Sequence, residues 1–173
     1  MAGRAEPATS VDRPPGTARL SVGLPAPVSR RRALALLGAP QRNAWLGEIV
    51  ETGRAGGASD RHLVDLELRV SERAPRITFR KAAYVDVGPV RAPRSEPIRV
   101  AISWRAAGLA PLFPVFSGVL AWTEGELRID GYYAPLGGGI GIVADRLLLN
   151  LAARATARLL LGRIVAAMRG DGS

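Results

Sequence analysis

The sequence predicts an α+β fold in which one antiparallel sheet packs against a long C-terminal helix. Between residues 49 and 133, apolar and polar residues alternate with a period of two, as in strands that bury one face. From Gly141 to about Arg169, apolar residues recur with a period of 3.6, as in an amphipathic helix. The order is a strand, one or two helices, about six meandering strands and the long helix, which suits a bent sheet gripping that helix.

Length and composition are those of one globular domain. The chain has 173 residues, 47% of them hydrophobic and 23% charged, which is an ordinary globular composition. A chain of this length can bury a hydrophobic core. The absence of cysteine excludes disulfides, thiolate metal sites and cysteine nucleophiles, and it favours a reducing compartment. We find no signal peptide and no apolar run of about 18 residues, so the sequence predicts a cytoplasmic protein without a membrane span.

The formal net charge of +9 raises the question of a nucleic-acid or acidic-lipid partner. Every basic residue except Lys81 is an arginine, and the arginines are spread from Arg4 to Arg169. The only dense run is Arg30 to Arg32, which is typical of a solvent-facing helix surface. Nucleic acid is therefore a disfavoured partner, and a basic interaction protein that uses this run is our third hypothesis.

The chain ends are predicted to be tails around a single domain. Residues 1–17 are rich in proline and poor in large apolar groups, which indicates disorder. The domain is expected to span 18–169, and 170–173 form a short second tail. The sequence does not indicate an oligomeric state.

The individual elements follow from their apolar periodicity and from the breakers between them. Ser29 is the expected cap of the first helix, and Trp45 is the expected anchor of a helical turn after it. Gly118 and Gly131 indicate bulges or bends in the strands that contain them. The predicted strands are Arg19–Leu24, Ile49–Val50, Val64–Val70, Ile77–Val87, Ile98–Trp104, Phe116–Trp122 and Leu127–Tyr133.

The long helix is predicted to present a face of mostly small residues to the sheet. Close approach of a helix to a strongly bent sheet would leave an enclosed apolar space between them. Polar residues such as Arg154 fall on the opposite face. The predicted inner face consists of Ala144, Leu148, Ala152, Ala155, Leu159, Gly162 and Ala166.

The junction before this helix carries a family resemblance. Residues 131–137 read Gly-Tyr-Tyr-Ala-Pro-Leu-Gly, and Gly141, Asp145, Ala153 and Thr156 follow, with Leu-Phe-Pro at 112–114. This pattern resembles uncharacterised bacterial members of the START-like (SRPBCC) superfamily, which includes lipid-transfer domains, plant allergens and polyketide cyclases. The resemblance implies a helix-grip fold, a curved antiparallel sheet of about seven strands around the long C-terminal helix, with a cavity for a hydrophobic small molecule.

The candidate ligand-binding residues are apolar and lie in the last strands and on the long helix. As core or as cavity lining they would occupy the same face, so both interpretations stay open. The candidates are Trp104, Phe116, Trp122, Tyr133, Leu148, Ala152 and Leu159.

No convincing catalytic or cofactor site is apparent. The Gly-x-Gly-x-x-Ala sequence from Gly139 lacks the second strand and the carboxylate of a dinucleotide site. His62, the only histidine, is expected to lie at the surface or at a strand end, and neither a metal nor a cofactor is predicted. Our first hypothesis is therefore a binding protein, and the alternative is a polyketide cyclase or aromatase that uses Tyr132 or Tyr133 with Arg105.

Overall fold

The computed structural model describes most of the domain. The strands and helices follow one another in the order that the sequence predicts, and residues 1–15 of the predicted tail lie outside the described part. The described residues are 16–38, 43–46, 49–55, 59–69, 78–107, 115–134 and 143–170. The elements are β1 (Ala18–Ala26), α1 (Arg30–Leu37), a 3-10 turn (Asn43–Leu46), β2 (Ile49–Arg54), β3 (Asp60–Arg69), β4 (Thr78–Arg91), β5 (Ile98–Ala106), β6 (Val115–Thr123), β7 (Gly125–Ala134) and α2 (Val143–Arg169).

All seven strands form one curved antiparallel sheet in the order β1-β7-β6-β5-β4-β3-β2. The strands from β2 to β7 follow one another as a meander, whereas β1 pairs with the last strand, from Ala18 opposite Tyr133 to Ala26 opposite Gly125. The long helix α2 packs against β1, β3, β7, the 3-10 turn and α1. This is the α+β helix-grip arrangement that the sequence predicts.

The core lies between the concave face of the sheet and α2. In β5, Ile98, Val100, Ile102 and Trp104 are all at most 2% exposed, while Arg99 and its alternating neighbours face outward. Burying one face of each strand in this way supplies most of the favourable free energy of folding. We call this concave side of the sheet the inner face.

The predicted inner face of α2 is wrong, because at about 100° per residue the buried stripe lies on nearly the opposite side of the helix. Ala155, Leu159, Gly162 and Ala166 are only partly buried, and the side chains of Ala144, Leu148 and Ala152 lie outside the described part. Apolar side chains occur on more than one side of this helix. Large ones such as Leu161, Ile164 and Met168 are buried, whereas Arg154 and Arg158 are exposed. The buried stripe is Ala153, Thr156, Ala157, Leu160, Leu161, Ile164, Val165 and Met168.

Of the bulges or bends predicted at Gly118 and Gly131, the bulge is wrong. These glycines face each other across β6 and β7, and the pairing runs from Val115 to Thr123 without a register shift. A Cβ atom at Gly131 would lie 2.6 Å from the Cα of Gly118 and 2.7 Å from Cζ of Phe116. The glycine pair is therefore required by the close approach of two backbones and of the aromatic ring above them.

The register shifts lie elsewhere in the sheet. One falls between Val87 and Val90, where the sequence is Gly88-Pro89, and a second falls between Ile49 and Glu51. Proline has no N–H to donate to a ladder, so it fits where the pairing is interrupted.

The arginine run at the start of α1 joins three elements. The Arg30 guanidinium donates to the carbonyl oxygen of Glu96 at 2.6 Å and to that of Pro93, both in the β4–β5 connection. The Arg32 guanidinium donates to the carbonyl oxygen of Arg169 at 2.6 Å, at the C-terminus of α2. A cation at that position satisfies an unpaired carbonyl and favours the helix dipole. Two of the three arginines thus make specific structural contacts, which a simple solvent-facing run does not require.

Candidate functional site

One row of side chains crosses the inner face through all seven strands. The register of the six strand pairs places one residue of each strand at the same level, close to the ends of β5 and β7 and the start of β6. From one edge to the other the row consists of Ala18, Tyr133, Phe116, Trp104, Val85, His62 and Thr52. We call it the aromatic row, because its centre is formed by three predicted site residues.

The three central residues are packed and almost inaccessible. Trp104, Phe116 and Tyr133 are 2%, 0% and 4% exposed. The Trp104 and Phe116 rings stack with their centroids 4.0 Å apart and their planes inclined by 20°. Such a stacked pair forms an apolar wall from which water is excluded.

The other predicted site residues do not belong to this row. Trp122 is also buried on the inner face, but it pairs with Ile98 at the opposite end of the sheet. Five residues of β6 lie between Trp122 and Phe116, which places them about 20 Å apart along the strand. Leu159 lies partly buried beside the buried stripe of α2, and the side chains of Leu148 and Ala152 lie outside the described residues.

Two of the buried indoles, those of Trp104 and Trp122, carry an unsatisfied donor. Neither the Nε1–H of Trp104 nor that of Trp122 has a hydrogen-bond acceptor among the described residues. A buried donor without an acceptor costs about 1–3 kcal/mol, because its hydrogen bond to water is lost and not replaced. An incoming carbonyl, ether or hydroxyl oxygen would recover part of that free energy.

Tyr133 adds a second donor to the aromatic row. Burial raises the pKa of its hydroxyl above the ordinary value, and the positive charge of Arg154 on α2 opposes this shift only in part. The phenol is therefore protonated at neutral pH and can donate. Arg154 itself is exposed and donates from Nε to Oδ1 of Asn150 at 3.2 Å.

His62 lies near the start of β3, as one of the two expectations has it, but it lies inside the protein, so the expectation of a surface histidine is wrong. Its exposure is 2%, because β3 begins at Asp60 and places His62 in phase with the buried Val64. Its Nδ1 lies 3.3 Å from Oγ1 of Thr52. Burial lowers the pKa of the imidazole, and the charges of Asp60 and Asp86 oppose that shift, so the ring is neutral at pH 7.

We predict a pH dependence of stability that originates at His62. Because its pKa is lower in the folded than in the unfolded protein, the unfolded chain takes up the proton first. The contribution to stability is complete above about pH 6.5 and is lost as the pH falls from there through the lowered folded pKa. Urea denaturation between pH 5.5 and 7.5 measures this effect.

The chain offers a clean control, since it contains a single histidine. The His62→Gln variant keeps a polar side chain without titrating in this range, and its unfolding free energy should be flat between pH 5.5 and 7.5. A wild-type protein whose stability is flat or rises as the pH falls would contradict the prediction.

The arginine and one tyrosine of the cyclase hypothesis face away from the aromatic row. Arg105 follows Trp104 in β5 and is exposed on the outer face, where its guanidinium lies 5.5 Å from the ring centre of Tyr84. Tyr132 alternates with Tyr133 and therefore also points outward. Arg105 is therefore not in a position to take part in chemistry on the inner face.

The outer face instead carries a charged cluster around Tyr84. The guanidinium of Arg61 lies 5.8 Å from the same ring centre and forms two hydrogen bonds with Asp86, at 2.7 and 2.8 Å. This pairing lowers the pKa of the Asp86 carboxyl. Opposite charges and an aromatic ring on neighbouring strands stabilise the sheet pairing there.

Two further observations concern the part of the chain that the structure describes. Within it, we find no group of three or more histidine, aspartate or glutamate side chains arranged to hold a metal ion. No helix in the same part is long and apolar enough to cross a membrane.

A groove of about 310 Å³ lies where β1 meets the C-terminal half of α2. It is lined by Leu24, Pro25, Gly162, Val165, Ala166 and Arg169. The groove lies at the edge of the sheet, because β1 is an edge strand. Space between sheet and helix is therefore present at this edge, away from the aromatic row.

Comparison with known proteins gives matches among solved structures only. No family model and no curated protein matches the chain. A conserved protein from Geobacillus kaustophilus aligns with a TM-score of 0.49 and 12% identity over 90% of this chain and 96% of its own. Ara h 8.0201 aligns with a TM-score of 0.44 and 11% identity over 87% of this chain and 99% of its own.

A third similar structure is DynU16, described as a putative protein in the dynemicin biosynthetic locus. It has a TM-score of 0.44 and 18% identity over 91% of this chain, which corresponds to 49% of DynU16. The chain thus spans about half of that protein. These likenesses concern the arrangement of the strands and helices and do not extend to a ligand or a reaction.

Proposed function

We propose that this protein binds a hydrophobic small molecule, of lipid- or polyketide-like chemistry, between the inner face of the sheet and α2. The observation that carries the proposal is the aromatic row, where the Nε1–H of Trp104 lacks an acceptor in an otherwise apolar wall. Binding sites for small molecules typically combine apolar walls with a few such fixed polar groups. The cysteine-free sequence supports the further proposal of a cytoplasmic protein.

The two donors of the row define what the ligand should carry. The hydroxyl of Tyr133 and the Nε1–H of Trp104 both donate, and they belong to strands separated only by β6. A ligand that presents an oxygen acceptor on an apolar skeleton would satisfy the Trp104 donor, which a plain hydrocarbon would leave unpaired. We therefore expect ketone, ester or quinone oxygens on the ligand.

The first test is native mass spectrometry of protein produced in its own host, followed by binding of the fluorescent probe 1-anilinonaphthalene-8-sulfonate. We expect a co-purified small molecule and saturable probe binding that the extracted molecule displaces. Trp104→Phe should weaken binding of an oxygen-bearing ligand by about five- to tenfold, because one neutral hydrogen bond is lost. Trp122→Phe, at the far end of the sheet, is the matched control and should change the affinity little.

Two outcomes would overturn the proposal. One is a protein that carries no small molecule from its host and binds no probe. The other is an equal loss of affinity in the Trp104→Phe and Trp122→Phe variants, which would indicate a general effect on the core.

An enzyme of the cyclase type is the second candidate, and one observation favours it. His62 is neutral, buried and on the same row as Tyr133, so the inner face holds a potential proton acceptor as well as a donor. Turnover of a polyketide-like substrate that falls in both His62→Gln and Tyr133→Phe, while ligand affinity is kept, would support this function. Ligand binding without any turnover would leave the protein a binder.

A further inference from the structure

A second cavity lies at the end of the sheet opposite to the aromatic row. It has a volume of about 460 Å³ and is bounded by the start of α1, the β4–β5 connection and the β6–β7 turn. Its apolar part is formed by Val28, Pro97 and Trp122. The volume is within the range of small-molecule sites, which is about 300–1,000 Å³.

Two walls of this cavity are held in place by one side chain. Arg30, at the start of α1, donates to the carbonyl oxygens of Pro93 and Glu96 in the β4–β5 connection. These bonds fix the distance between the two walls before any ligand arrives. A site that is already shaped loses less entropy on binding than one that must be ordered.

The lining carries both signs of charge and one unsatisfied donor. Arg30 and Arg94 bring positive charge, and Glu96 and Glu124 bring negative charge. The N-terminus of α1 adds positive potential on the same side as Arg30. Trp122 is 3% exposed, and its Nε1–H has no acceptor among the described residues.

We propose that this cavity binds a small zwitterion of the amino-acid class with an apolar side chain. The carboxylate would lie near the start of α1 and Arg94, and the ammonium group near Glu124. The side chain would contact Val28 and Pro97. A simple anion would meet repulsion from Glu96 and Glu124, and a simple cation would meet repulsion from Arg30 and Arg94. A zwitterion can place each of its charges near an opposite one.

Isothermal titration calorimetry on the full chain with L-phenylalanine tests this proposal. N-acetyl-L-phenylalanine keeps only the negative charge, and phenethylamine keeps only the positive charge. We expect saturable binding of the amino acid and binding at least about fivefold weaker for each single-charge analogue. Glu124→Gln should weaken amino-acid binding by about fivefold, and Glu51→Gln, an exposed carboxylate on β2, should leave it unchanged.

Three results would overturn the proposal: no binding of the amino acid, equal binding of either single-charge analogue, or equal loss in Glu124→Gln and Glu51→Gln. The outcome is separable from that of the proposed function. Trp104→Phe should not change amino-acid affinity, and Glu124→Gln should not change binding of 1-anilinonaphthalene-8-sulfonate, because the two sites lie at opposite ends of the sheet. Each site can therefore fail in its own assay without affecting the other.

Discussion

Replacing Gly131 with alanine is expected to destabilise the protein by about 3 kcal/mol or more, which is at the severe end for a single added methyl group. The new Cβ atom would lie 2.6 Å from the Cα of Gly118 and closer still to the carbonyl oxygen of Ser117. Both atoms belong to a backbone fixed by the β6–β7 pairing, so relief requires the strands to separate. Urea denaturation followed by circular dichroism gives the free energy of unfolding.

The control for this substitution is Gly53→Ala in the edge strand β2. A Cβ atom at Gly53 would meet nothing within 4 Å, so the change should be within about 0.5 kcal/mol of zero. Similar unfolding free energies for the two variants would contradict the close approach of β6 and β7 at Gly118 and Gly131.

Replacing Trp104 with alanine is expected to cost about 3–5 kcal/mol, since it empties the space of a buried indole next to Phe116. The size and shape of the lost group suggest a chemical rescue. Free indole should enter the vacated space and raise the melting temperature of the variant, as ligands that bind only the folded state do. Differential scanning calorimetry with increasing indole measures the shift.

Val119→Ala is the comparison for this second prediction, because Val119 is 37% exposed on β6 and leaves no enclosed space when truncated. Indole should not stabilise that variant or the wild-type protein to the same extent. An equal rise in melting temperature for all three proteins would mean that indole binds elsewhere.

Much of the sheet could be predicted from the sequence, because strand periodicity is a local property. Ile98, Val100, Ile102 and Trp104 alternate with outward residues, and the structure confirms that pattern. The same alternation extends back from Val64 to His62, so the spacing in the sequence already indicated that the histidine is buried. A polar residue in phase with apolar neighbours faces the same side as they do.

The face of α2 and the composition of the site could not be predicted in the same way. Arg154 and Arg158 of α2 are exposed, but apolar residues occupy more than one of its other sides, and Leu151 is 55% exposed. The aromatic row depends on the register of six strand pairs, and its members are spread along the chain from Ala18 to Tyr133. The same register separates Trp122 from Trp104, although both are buried indoles on the inner face.

The pairing of β1 with β7 also has a consequence for how the chain folds. Ala18 and Tyr133 are partners in the sheet, so β1 can form its strand pairing only after β7 is available. Such pairings raise the contact order, and proteins dominated by them fold in milliseconds to seconds. During synthesis β1 leaves the ribosome well before β7 and stays unpaired in the meantime. That interval is when this chain is most open to association with strands of other nascent chains.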